Sequence, residues 1–125
     1  MVRRAGFKLH KKWEFQRVYQ SGRKFGLDHI TLFVFNRTDS NATRLGITVT
    51  KKIAGAVGRN RLRRQLSEIF FTIRCNIRPG FDIVFMPRKN IFEISYSIML
   101  DEIKKGLTEI GIFEENTCGY GNNAG

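Results

Sequence analysis

The apolar positions along the chain change period from stretch to stretch, and each period predicts an element. Phe15, Val18 and Tyr19 stand at i, i+3, i+4 and are followed by Gly22, which predicts a short helix over about 12–20 with a glycine stop. Residues 29–35, HITLFVF, are β-branched and aromatic, the composition of a strand. Ile30, Leu32 and Val34 share one face of it; Thr31, Phe33 and Phe35 share the other. Residues 44–50, RLGITVT, form a second strand, with Leu45, Ile47 and Val49 on the apolar face and Gly46, Thr48 and Thr50 on a small-residue face. The turn-forming residues from Arg37 to Asn41 between them predict an antiparallel hairpin. Leu62, Leu66, Ile69 and Ile73 repeat at i, i+4, i+7, i+11, a helix stripe over about 58–74, and Pro79-Gly80 breaks the chain after it. Phe81 to Met86 is a third strand and Pro87 to Asn90 a loop. A third helix over about 93–110 follows, with Ile94, Ile98, Ile103, Leu107 and Ile110 as its buried positions and Gly111 as its stop.

The order helix, hairpin, helix, strand, helix is that of an α+β protein, a two-layer α/β sandwich with about four strands if Arg23 to Leu27 adds a short one. The second hairpin strand, the second helix and the third strand make a βαβ unit, for which base rates favour a right-handed crossover. With 125 residues, 42% of them hydrophobic, the chain is expected to form one domain over residues 1–115. Residues 1–10 read as a basic, mobile arm, and 116–125 as a tail with little to bury. No apolar run is long enough for a membrane span and no signal-peptide segment is visible, so a cytoplasmic protein is expected. Cys75 reads as a small, partly buried hydrophobe, and no CxxC or Cys/His cluster suggests zinc.

Charge changes the picture. The formal net charge is +11, which points to a polyanion partner or an anionic surface. It is also unevenly spread: residues 51–64 hold six basic residues and no acid, whereas 101–115 hold five acids and two lysines. The second helix opens with Arg59, Arg61, Arg63 and Arg64, and the first acid after them is Glu68. Cations at the positive end of a helix dipole cost roughly 0.3–1 kcal/mol each. A solvated helix face is the ordinary reading of a charge run, but these residues precede any acid that could compensate them. At 100° per residue Asn60, Arg61 and Arg64 project away from the apolar stripe, with Arg63 on its flank. Guanidinium forks bind phosphate in a bidentate way, and Gly55 and Gly58 allow a backbone to approach a ligand closely.

The stretch KKIAGAVGRNRLRRQLSEIFF, residues 51–71, closely resembles the signature of the bacterial ribonuclease P protein subunit: Lys51-Lys52, Ala56-Val57, Arg59-Asn60-Arg61, then Arg63-Arg64. The resemblance runs over about residues 8–110, through FQRVYQSG and LGITVTKK. Gly55 comes one residue later than the family's glycine, and Ser67 stands where the family often has arginine. The resemblance implies a left-handed βαβ crossover, against the base rate. It implies that Arg59, Asn60, Arg61, Arg63 and Arg64 bind the catalytic ribonuclease P RNA. It implies that Phe15, Tyr19 and Phe33, with Lys51, Lys52 and, at the rim, Arg17, bind the 5′ leader of precursor tRNA. The residues alone leave those aromatics open between core packing and base stacking. The RNA subunit would do the cutting with Mg2+ that it chiefly holds itself, so no catalytic or metal-binding residue is expected in the protein, nor a membrane or an obligate protein partner.

Two other readings follow from the residues. Charge alone would suit a ribosomal or duplex-binding module. Asp28-His29 could orient an imidazole for a metal-dependent nuclease, although strand neighbours point to opposite faces, and Asp82 and Glu93 read as isolated acids.

Overall fold

A computed structural model describes residues 7–114. In chain order the elements are α1 (Lys12–Ser21), β1 (Arg23–Gly26), β2 (Ile30–Asn36), β3 (Arg44–Ile47), α2 (Ala56–Ile73), β4 (Phe81–Pro87) and α3 (Tyr96–Ile110). Short 3-10 turns occupy Arg74–Asn76 and Lys89–Glu93. The expected tail over 116–125, with Cys118, lies outside the described residues, as does most of the expected basic arm. The part of the arm that is described is fixed: Leu9 is buried, and its N–H donates to the Leu45 carbonyl at 2.8 Å.

The sheet order is β1-β2-β4-β3. β2 pairs antiparallel with β1 and with β4, and β3 pairs parallel with β4, as the βαβ reading requires. The expected hairpin between β2 and β3 does not form, because β4 lies between them. The reason is the linker. Arg37 donates to the Phe81, Asn41 and Ala42 carbonyls, the Arg37 N–H to the Gly80 carbonyl, and the Gly80 N–H to the Asn41 carbonyl. Residues 37–43 therefore wrap the start of β4 instead of turning back on β2.

The α/β sandwich lies between the sheet and α2 with α3. Leu62, Leu66, Ile69 and Ile73 are all buried, facing Ile30, Leu32, Val34, Leu45, Ile83 and Phe85. On α3 the buried line is Met99, Ile103 and Leu107; Ile98, expected inside, is half exposed. The helix begins only at Tyr96, where the Ser95 hydroxyl accepts the Ile98 N–H, and Ile94 sits before it in extended backbone. Counted from that start, Ile98 falls 100° off the Met99–Ile103–Leu107 stripe. Gly111 ends α3 at φ 96°, a left-handed conformation that glycine adopts without strain. Cys75 is exposed on its turn and not partly buried.

α1 crosses the opposite face of the sheet over a second, smaller cluster of Leu9, Val18 and Val84, edged by Phe15, Tyr19, Phe33 and Phe35.

Candidate nucleic-acid interface

The start of α2 follows directly from the sequence around it. Gly55 is the N-cap and offers no side-chain acceptor, and the first turn holds no acid. The N–H groups of that turn lack intrahelical acceptors. Lys51 and Lys52 are exposed on the turn leading in, and Val57 is 83% exposed on the first turn. The basic residues then divide. Arg59 folds back, donating to the Ala54 carbonyl at 2.9 Å, and Arg63 donates to the Asn60 side-chain oxygen at 3.0 Å. Arg61 and Arg64 are exposed and have no acceptor among the described residues. Glu68 stands one turn beyond Arg64, close enough in sequence to pair, yet no ion pair forms between them among the described residues. Arg61, Arg63 and Arg64 instead line an open concavity of about 520 Å3 with Lys8, Gln65, Ser67 and Glu68.

The aromatic residues meet on the α1 face. A Cβ on Gly46 would lie 2.5 Å from Phe15 Cε1, so this position on β3 is low because the ring rests on it. Tyr19 and Phe33 meet edge to face, with centroids 4.9 Å apart, and the Tyr19 hydroxyl shares a 2.6 Å hydrogen bond with Thr48 Oγ1. Phe15, Tyr19 and Phe33 are each half-buried: one part of the ring packs and another is open. Lys51 and Lys52 lie a few residues past Thr48 along the chain.

Arg17 is elsewhere. It lies 200° around α1 from both Phe15 and Tyr19, and it donates to Asp82 Oδ2 at 2.8 Å, with its guanidinium over the Phe35 and Trp13 rings. Asp82, read from the sequence as isolated, is the centre of an ionic cluster. It is fully buried and accepts from Arg37 at 2.6 Å, from Arg44 at 3.0 and 3.1 Å, and from Arg17. Arg44 also reaches Glu14 Oε2 at 2.8 Å, and Arg37 reaches Asp39. Burial alone would raise the Asp82 pKa, but hydrogen bonds from Arg44, Arg17 and Arg37 hold it below the ordinary value. The Lys11 N–H, then the His10 N–H and Arg44, lower Glu14 against its own burial. Arg37 lowers Asp39. One signal in the sequence did point here: an acid inside a strand as apolar as FDIVFM is costly unless it is paired.

His29 does not work with Asp28. Its ring Nδ1 and its backbone N–H both meet Glu102 on α3, each at 2.7 Å, a clamp that fixes the start of β2. Among the described residues no group of three or more His, Cys, Asp or Glu side chains could hold a metal ion. The buried carboxylate oxygens are taken up by guanidinium and backbone donors, so they do not fit Mg2+. Nor is any helix among the described residues long and apolar enough to cross a membrane.

Sheet order and an uncompensated basic helix start together define a basic α+β domain with one cationic face and one aromatic face. A family model described as Ribonuclease P matches residues 4–111. The ribonuclease P protein component of Caldanaerobacter subterraneus subsp. tengcongensis is 35% identical over 108 residues, covering 86% of this chain and 92% of that protein. That of Clostridioides difficile is 33% identical over 97 residues, covering 77% and 84%. The Staphylococcus aureus RNase P protein superposes with a TM-score of 0.78 at 25% identity, over 86% of this chain and 98% of that one. The Thermotoga maritima protein gives 0.74 at 25%, over 82% and 96%. The chain belongs to the ribonuclease P protein component family.

Proposed function

We propose that the chain is the protein subunit of a bacterial ribonuclease P. In this reading it binds the catalytic RNA and the 5′ leader of precursor tRNA in the cytoplasm, and it assists endonucleolytic removal of the leader. The observation that carries the reading is the pair of exposed guanidinium groups, Arg61 and Arg64, with no acceptor in the protein, at a helix start that holds no acid. An RNA phosphate supplies the missing anion. Arg63 and Asn60, already joined, present a fixed edge beside them, and Arg59 steadies the turn by holding the Ala54 carbonyl.

The leader is single-stranded, and its bases can stack on the open parts of Phe15, Tyr19 and Phe33, with Lys51 and Lys52 near its phosphates. Arg17 belongs to the ionic cluster on the other flank of α1, so its contribution is to hold that helix in place over the sheet. Mg2+ supplies Lewis-acid activation of the hydrolytic step, and it belongs on the RNA, because the carboxylates here do not fit it. The protein's part is binding and positioning.

The test is reconstitution. Precursor tRNA, a bacterial ribonuclease P RNA and the protein are combined at low Mg2+, and correct 5′ maturation is scored. Stimulation that needs both RNA and protein is expected. Cleavage by the protein alone, or equal binding to any RNA duplex, would overturn the reading.

A further inference from the structure

The turn between β4 and α3 carries a side chain that the packing does not use. Ile91 is buried and pins the Lys89–Glu93 turn, whose Ile91 N–H donates to the Arg88 carbonyl at 2.9 Å, and Asn90 holds the Asp28 carbonyl at 3.2 Å. The turn is thus fixed, yet Phe92 on it is 50% exposed. A single exposed apolar residue is ordinary. This one stands on a narrow groove of about 70 Å3 whose opposite wall is Arg61, Leu62 and Gln65 of α2 and whose end is closed by Tyr96 and Met99. The ring therefore borders one of the two guanidinium groups that lack an acceptor in the protein. Lys89 is exposed three residues earlier in the same 3-10 turn, where side chains at i and i+3 eclipse. Glu93, also exposed, adds a negative charge just after the ring, which steers an anion to the Arg61 and Lys89 side.

We infer that Phe92 is a stacking platform for one unpaired base of the ribonuclease P RNA, whose phosphate is held by Arg61. This rests on the reading above and extends the docking surface from α2 onto the β4–α3 turn. The groove is too small to admit a base, so the base lies on the open face of the ring. An aromatic face accepts any base, while a flanking cation supplies the phosphate contact, the usual division of labour at unpaired RNA. A protein partner or a second copy would gain nothing from Arg61 and Lys89 beside the ring.

The test uses the full chain and the ribonuclease P RNA. Phe92→Ala should weaken RNA affinity about 10-fold and leave the slope of log affinity against log salt unchanged. Phe92→Trp should keep the affinity and, in a Trp13→Phe background where it is the sole tryptophan, lose emission on RNA binding. Arg61→Ala is the control that separates two failures. Wild-type affinity for Phe92→Ala with weakened Arg61→Ala overturns the stacking platform alone; wild-type affinity for both overturns the docking surface as well. Loss of self-association in Phe92→Ala with RNA affinity intact would assign the ring to a second copy and overturn the inference.

Discussion

Two groups of arginines in this chain meet opposite fates. Arg17, Arg37 and Arg44 converge on Asp82, Glu14 and Asp39, three guanidinium groups against three carboxylates, around a fully buried centre. Arg61 and Arg64 stand at the start of α2 with no such partner. The first group ties α1, the 37–43 linker, β3 and β4 into one unit. Its charge is spent inside the protein, and what it contributes is position. The second group contributes nothing to the fold that an alanine would not, and it opposes the helix dipole. The same residue type is a structural link where carboxylates meet it and a docking group where they do not.

Breaking the first group should have the largest effect. Asp82→Ala leaves three guanidinium groups crowded around a missing anion, and loss of one partner from a buried ion pair costs about 3–5 kcal/mol. Chemical denaturation should read a loss of that size; a loss below about 1 kcal/mol would mean that the cluster behaves as surface charge. Acid should act on the same group. Folding lowers the Asp82, Glu14 and Asp39 carboxyls from ordinary values of 3.8, 4.5 and 3.8. Their stabilisation is therefore complete above those values and is lost as the pH falls through the lower folded ones. A denaturation series should show stability dropping below about pH 4, with a shallower drop in Asp82→Asn.

A smaller effect sharpens the contrast on the aromatic face. Gly46→Ala places a methyl group where the Phe15 ring lies, and overpacking of this kind costs about 1–3 kcal/mol. If the ring also grips the leader, affinity for precursor tRNA should fall relative to mature tRNA, while affinity for the catalytic RNA holds. Equal loss for both RNAs would indicate a general defect.

Much of the docking group was legible in the sequence, because it depends on local order: an acid-free run, a glycine N-cap and a stripe at helix spacing that turns Arg61 and Arg64 outward. The α2 core positions were legible for the same reason. The structural group was not. Asp82 meets Arg17 and Arg44 across 65 and 38 residues, and no period links them. The missing hairpin has the same origin, since it is the grip of Arg37 on β4 that places that strand between β2 and β3. Arg17 could be placed on α1 by spacing, but only the cluster reveals that it faces away from Phe15 and Tyr19. On α3, five apolar residues fitted a helix whose true start, at Ser95, leaves Ile98 outside.

The central claim is that the two unpaired guanidinium groups hold RNA phosphate, and a salt series tests it most directly. Affinity for the ribonuclease P RNA would be measured for the wild-type chain, Arg61→Ala, Arg64→Ala and Phe15→Ala. Each arginine variant should flatten the plot of log affinity against log salt by about one unit, and Phe15→Ala should leave that slope alone. Slopes unchanged in both arginine variants would contradict the account.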